Sequence, residues 1–179
     1  LGLSTLDIIE KTWELIEKSG KVLTPESENY DVYDEKTYDL ISSGNTFCVF
    51  QLGTSGGTMD LCRKIKPKAI EDISNINSLA RPSARDIRSG FVSARDGKTP
   101  VTLLHPSLSR SFGHTYGFGL YEESLMYLAQ DVAGWSLHEA DRLRKLTKEK
   151  GKNPKKAQQW RAEFIEGAVK KGIKEEIAR

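Results

Sequence analysis

Apolar residues recur at helical spacing along most of this chain, and the arrangement is most restrictive between residues 116 and 152. Tyr121, Leu125, Leu128 and Val132 fall three or four residues apart, which puts them on one face of a helix and predicts that this face is buried. Gly117 and Gly119 precede the stripe and Gly134 follows it as a residue suited to ending a helix. Ser136 then opens the run S-L-H-E. Its hydroxyl can accept from the Glu139 amide while the Glu139 carboxylate reaches back to the Ser136 amide, a capping box that starts a second helix. The prediction is a helical hairpin whose arms differ in charge. The second arm turns Leu137, Ala140 and Leu143 one way, and Arg142, Arg144, Lys145, Lys148, Lys150 and Lys152 crowd its remaining surface and the turn beyond. Such cations repel one another unless an anion lies nearby. Both a solvated face and a phosphate-binding surface fit that pattern.

The rest of the chain reads mainly as helix. Ser4 or Thr5 can cap a first helix with Leu6, Ile9, Trp13 and Ile16 on one face and Gly20 as its stop. An acidic loop through Pro25 leads to a short helix around residues 37–41, and 59–65 forms another. Ile70, Ile73, Ile76 and Leu79 stripe a helix that Pro82 ends, so Arg81 sits at a helix end. Ile87, Phe91 and Ala94 continue as a helix exposing Arg85, Arg88 and Arg95, three candidate phosphate contacts. Asn153 and Pro154 begin the helix that aligns Trp160, Phe164 and Ala168 before Gly172, and a short amphipathic stretch follows. Only residues 46–52, aromatic and β-branched between Gly44 and Gly53, read as a strand. The fold class expected is mainly α with at most this short strand.

Several chemistries are excluded by composition and motif. The run G-T-S-G-G-T at residues 53–58 is followed by Met59 and Asp60 rather than the lysine that a phosphate-binding Walker loop requires. Cys48 and Cys62 belong to no zinc-spaced cluster and read as buried thiols; His105 and His114 sit in a connector without a nucleophile context. No apolar run approaches the roughly 20 residues of a membrane span, and the N-terminus lacks a signal-peptide pattern, so a cytoplasmic protein with no membrane partner is expected. The net charge of +2 conceals strong segregation. Residues 1–60 hold 4 Lys+Arg against 11 Asp+Glu, residues 61–115 hold 10 against 4, residues 116–141 hold none against 5, and residues 142–179 hold 13 against 5. That alternation concentrates positive potential on particular surfaces and suits a polyanion partner.

Three runs, T-Y-G-x-x-L-Y-E-E from Thr115, A-G-W-S-L-x-E-A-D-x-L-R-K from Ala133 and F-I-E-G-A-x-K-K-G-I from Phe164, resemble in order and spacing the fingers region of bacterial C-family replicative DNA polymerases, the DNA polymerase III alpha subunit. The likeness extends upstream through L-G-L-S-T-L at the start, T-F-C-V-F-Q-L at residues 46–52, Lys66-Pro67, Glu71-Asp72-Ile73 and Ala80-Arg81-Pro82, and so covers nearly the whole chain. It departs from the family after Pro82, where R-P-S-A replaces R-P-G-P, and in the glycine-rich run at 53–57. Only Arg81 and Pro82 carry over from that motif, and a salt bridge to a neighbouring helix is the competing role for Arg81.

The resemblance implies a palm-to-fingers helical segment over residues 1–80 and a fingers segment over 81–179, truncated at both ends relative to a longer parent. It implies that Arg144 and Lys145, with Lys148 beside them, face the triphosphate of an incoming dNTP, that Arg81 lies close to it, and that Tyr116 and Tyr121 pack nearby. Arg85, Arg88, Arg95 and Lys152 are the expected contacts to template–primer DNA. In relatives L-G-L follows closely on the last of three catalytic palm aspartates, so the carboxylates that hold two Mg2+ ions in the parent are expected outside this chain. The chain alone is then expected to bind no metal and to be inactive, with the palm and thumb of the parent as partners. A stand-alone DNA-binding module and a polymerase-interaction domain are the alternatives.

Overall fold

The computed structural model describes residues 4–23, 31–53, 55–149 and 153–179, with the side chains of 146–149 outside the description. Among these residues ten α-helices follow in order: α1 (Ser4–Lys18), α2 (Glu35–Ser43), α3 (Gly56–Ile65), α4 (Ile70–Ala80), α5 (Arg88–Arg95), α6 (Ser109–Phe112), α7 (Glu122–Ala133), α8 (Leu137–Glu149), α9 (Pro154–Lys170) and α10 (Glu175–Ala178). Tight 3-10 turns at 82–87, 106–108 and 113–115 join some of them. No strand occurs among the described residues, so the chain is mainly α.

Residues 46–52 depart from the strand expected of them. Val49 N donates to Thr46 O, Leu52 and Gly53 N both donate to Val49 O, and Cys48 and Gln51 take left-handed φ values of 65° and 60°. Successive turns replace extended backbone. The Thr46 hydroxyl, fully buried, donates to Leu52 O at 2.9 Å and clamps the ends together. An apolar run accommodates this because, of its apolar side chains, Leu52 is the one buried and Val49 packs against the core, while Phe47 and Phe50 are 81% and 64% exposed. Cys48 is exposed as well, contrary to the buried thiol expected; Cys62 is buried, and burial pushes its thiol pKa up.

Local capping sets the helix ends elsewhere, at Ser136, Asn153, Gly134 and Gly172 as the sequence predicts. Asp34 caps α2 by accepting from Thr37 N, Ser55 caps α3 by accepting from Thr58 N, and Asn153 caps α9 ahead of Pro154. Ser136 and Glu139 form the capping box, with Ser136 N donating to Glu139 Oε2 at 2.8 Å and Glu139 N to Ser136 Oγ at 3.3 Å. Gly44, Gly134 and Gly172 take positive φ at helix ends. The helix α1 forms and Gly20 follows it at φ 78°, yet Ser4 is already helical and no α1 residue is buried; Leu6 remains 60% exposed. Leu137, expected inside, is exposed too, and Ala140 provides the buried contact of α8.

Two apolar clusters organise the packing. The first gathers Leu61, Cys62, Ile65, Ile76, Leu79 and Phe91 from α3, α4 and α5. The second gathers Val132, Ala168 and Ile173, with Leu108, Leu128 and Phe164 against them. The segment after α6 ties the clusters together: Tyr116, in a left-handed turn at φ 55°, meets Phe91 edge-on at 5.5 Å between ring centroids, and Phe118 meets the same ring at 5.8 Å. Its glycines therefore serve a chain reversal that returns two aromatic rings to the first cluster before α7 begins.

Candidate nucleotide and nucleic-acid interface

The arms of the hairpin are tied by charge. Asp141 lies three and four residues before Arg144 and Lys145, a spacing that places all three side chains together on α8. Arg144 Nε donates to Asp141 Oδ1 at 2.7 Å, Lys145 Nζ lies 2.8 Å from Asp141 Oδ2, and Arg144 Nη1 reaches Glu122 Oε2 on α7 at 3.2 Å. Hydrogen bonds from Lys145 and Arg144 hold the Asp141 carboxyl down at about 2, and those to Asp141 and Glu122 push the Arg144 pKa up. The anion that such a cationic helix needs is thus built in. Phosphate oxygens approaching Arg144 and Lys145 would meet cations already oriented, and would compete with a carboxylate for them.

Arg142, two positions before Arg144 on the chain, does different work. It lies over the rings of Trp135 and Trp160, at 5.4 and 5.7 Å from their centroids, and pairs with Glu139 and Glu163 at 3.3 and 3.6 Å. Those contacts join α8 to α9 and leave Arg144 and Lys145 as the pair held by Asp141. Lys148 lies in α8 with its side chain outside the described residues, and Lys152 lies outside them altogether.

The two tyrosines expected beside the triphosphate have structural partners. Tyr116 packs on Phe91, and the Tyr121 hydroxyl donates to Asn75 Oδ1 at 2.6 Å while His114 stacks parallel on its ring at 6.0 Å. His105 accepts from Ser107 N in a turn.

The arginines before and on α5 divide by their partners. Arg81, exposed, caps the C-terminal end of α4. Arg88 turns back on that end, donating from Nε to Leu79 O at 2.7 Å and from Nη2 to Ala80 O at 2.9 Å and Arg81 O at 3.3 Å. Arg95 makes a two-pronged pair with Asp72 of α4 at 3.1 Å for both bonds, the side chains being 17% and 15% exposed. Arg85 is exposed and shares a cavity of about 460 Å³ with Arg88. The helix thus exposes fewer of its cations than its sequence suggests, because two guanidinium groups turn inward onto α4.

Asp141 and Glu122 were not among the residues the sequence singled out. The signal for Asp141 lay in A-D-x-L-R-K, where the acid precedes both cations by one helical turn; nothing local signals Glu122, which reaches Arg144 across 22 residues. Among the described residues no three His, Cys, Asp or Glu side chains gather as a metal ion would require. No helix among them is long and apolar enough to cross a membrane.

Residues 5–172 match the family model described as the bacterial DNA polymerase III alpha subunit finger domain. The chain is 40% identical over 176 residues to the DNA polymerase III subunit alpha of Caulobacter vibrioides, covering 98% of this chain and 15% of the relative. It is 36% identical over 172 residues to that of Bacillus subtilis, covering 96% of this chain and 15% of the relative. Against that of Halalkalibacterium halodurans it is 34% identical over 181 residues, which is 100% of this chain and 16% of the relative. The chain thus spans about one sixth of the length of these curated relatives.

Proposed function

The chain belongs to the bacterial DNA polymerase III alpha subunit finger-domain family, and we propose that it binds the incoming dNTP and template–primer DNA for a parent polymerase that extends a primer. The observation that carries this reading is the pair Arg144 and Lys145 held on one carboxylate, Asp141. Pre-oriented cations on α8 suit a triphosphate better than scattered lysines do, because less side-chain freedom is lost on binding. Lys148 and Lys152 extend the cationic sequence beyond them, and Arg81 and Arg85 are exposed for contacts to nucleotide or DNA. Tyr116, Tyr121, Arg88 and Arg95 act in this reading by holding the backbone that carries those groups. Mg2+ belongs to the parent's palm, where it would supply electrostatic stabilisation of the transferring phosphoryl group.

The test separates the ligands. In the full-length polymerase, Arg144→Ala and Lys145→Ala are each expected to weaken dNTP binding about tenfold to a hundredfold, the equivalent of about 1.5 to 3 kcal/mol for a charge-assisted contact. DNA affinity, measured on the same proteins by fluorescence anisotropy, is expected to stay unchanged. A loss of DNA affinity with dNTP affinity intact would reassign the pair to the template or primer backbone, and no change in either would leave α8 a solvated face. The isolated chain, free of host polymerase, is expected to extend no primer with magnesium or manganese.

A further inference from the structure

Beyond α8, a second positive surface runs from the C-terminal end of α3 to the end of α5. The cavity of about 460 Å³ between α3 and α5 and another of about 610 Å³ at the α3–α4 turn share Lys64, and seven cationic side chains line the two against two carboxylates, Asp60 and Asp96. We infer that Lys64, Lys66, Lys68, Arg85 and Lys98 form a docking strip for the phosphodiester backbone of a nucleic acid, distinct in its residues from the Arg144–Lys145 pair.

The local fold explains why these five project. Lys66 ends α3 in a left-handed turn at φ 50°, Pro67 beside it is fully buried, and Lys66 and Lys68 on either side of that anchor are exposed. A proline fixed in the core sets the backbone direction, so its two flanking side chains turn out together. The helix dipole also favours cations at the C-terminal end of α3. Arg88, held by neutral carbonyls, keeps its positive charge beneath them, while the charge of Arg95 is balanced by Asp72. Lys64 pairs with Asp60 at 2.7 Å and Lys98 with Asp96 at 2.8 Å, both between largely exposed or partly exposed groups. Ion pairs of that kind contribute little and exchange readily for a phosphate.

The chemistry of the strip favours a polyanion backbone over a protein. No large exposed hydrophobic residue lines either cavity, whereas a protein partner of useful affinity needs an apolar centre to its contact. Lysine ammonium groups act as point charges on phosphates and read no base edges. The sequence carried a signal, the alternation Lys64-Ile65-Lys66-Pro67-Lys68, but not its junction with Arg85 and Lys98.

This inference rests on the polymerase reading, and the test keeps the two apart. The probe pair is a primer–template duplex and a single strand of the same length, each titrated with the full-length polymerase by fluorescence anisotropy between 50 and 200 mM salt, salt values chosen because counterion release is steep there. The variant is K64Q/K66Q/K98Q, checked by circular dichroism. Loss of three phosphate contacts is expected to flatten the slope of log affinity against log salt by about 2.7 on duplex or about 2.1 on single strand, with dNTP affinity unchanged. A change confined to one DNA form identifies that form as the ligand of the strip. Unchanged slopes on both forms in the folded variant overturn the proposal, and so does a loss of dNTP affinity with both slopes intact. Wild-type enzyme that binds neither DNA form overturns the polymerase reading itself, and the strip with it. Arginine replacements, K64R/K66R/K98R, are expected to restore the slope because the charge is kept; failure to restore it also counts against the strip.

Discussion

The Tyr121 hydroxyl donates to Asn75 Oδ1 at 2.6 Å across 46 residues of chain, fastening the start of α7 to the middle of α4. Asn75 is buried among the residues of the first cluster, and α7 leads into the second. One hydrogen bond therefore supplements the Tyr116 and Phe118 rings in setting how the hairpin leaves the α3–α5 layer. Burial first, and then Glu71 nearby, push the Tyr121 pKa up, so the phenol stays a donor at neutral pH.

Tyr121→Phe removes that donor and leaves a buried carboxamide oxygen unpaired, at a cost of about 1 to 3 kcal/mol. The urea midpoint is expected to fall with the slope of the transition unchanged. Nucleotide affinity measured on the folded full-length variant is expected to stay the same. If the midpoint holds and nucleotide affinity falls, Tyr121 belongs to the ligand.

Gly167 lies where α9 meets the end of α7 backbone to backbone. A Cβ built there would lie 2.3 Å from the Ala133 carbonyl oxygen and 3.1 Å from its carbon, backbone atoms that cannot swing aside. Gly167→Ala must push α9 from the end of α7 and is expected to cost about 1 to 3 kcal/mol, as overpacking does. Thermal unfolding checks it, with Ala162→Gly on an exposed part of α9 as a comparison that loses only helix propensity, about 1 kcal/mol. An alanine at 167 that raises the unfolding temperature would show that the contact yields.

Most of the helices were legible because their signals are local. The S-L-H-E box, the Asn153-Pro154 start and the glycines at 134 and 172 each act within one or two turns, and the structure uses every one of them. Residues 46–52 misled because composition reports what a segment can bury, whereas this one is shaped by backbone turns at Cys48 and Gln51 and by the Thr46 clamp. The stripe of α1 predicted its helix, yet no residue of α1 is buried, since periodicity states that a face exists and says nothing of what covers it. At the site, Arg144 and Lys145 were found from charge, but Glu122 was hidden by its distance along the chain. Arg88 and Arg95 illustrate the same limit: an arginine on an amphipathic helix looks solvent-facing until the neighbouring helix end is in place to receive it.

Asp141 gives a pH prediction with a definite sign. Its carboxyl titrates at about 2 in the folded chain against an ordinary 3.8, because Lys145 and Arg144 hydrogen-bond to the ionised form. A carboxyl whose pKa is depressed by folding stabilises the fold above its unfolded pKa and loses that contribution as pH falls through the folded value. Its contribution is therefore complete above about pH 4 and largely gone by about pH 2. The urea midpoints of wild type and Asp141→Asn are expected to differ at pH 6 and to converge on acidification. A gap that stays constant down to pH 2 would show that the carboxylate's charge is not what stabilises this end of α8.

The last prediction separates a structural arginine from a ligand-facing one on neighbouring turns. Arg88 donates to three carbonyls, those of Leu79, Ala80 and Arg81, at the end of α4 where the helix leaves its carbonyls without internal partners. A guanidinium can span them because its donors diverge from a plane, and a lysine ammonium cannot reproduce that fork. Arg88→Ala and Arg88→Lys are both expected to lower stability, by about 1.5 to 3 kcal/mol, since each strands partly buried acceptors. Arg85 is exposed, so Arg85→Ala is expected to change stability by less than about 0.5 kcal/mol while flattening the duplex salt slope by about 0.9. Urea unfolding and DNA titration on the same three proteins decide the matter. A lysine at position 88 that restores wild-type stability would mean that charge alone suffices there, and the carbonyl-binding role of Arg88 would have to be given up.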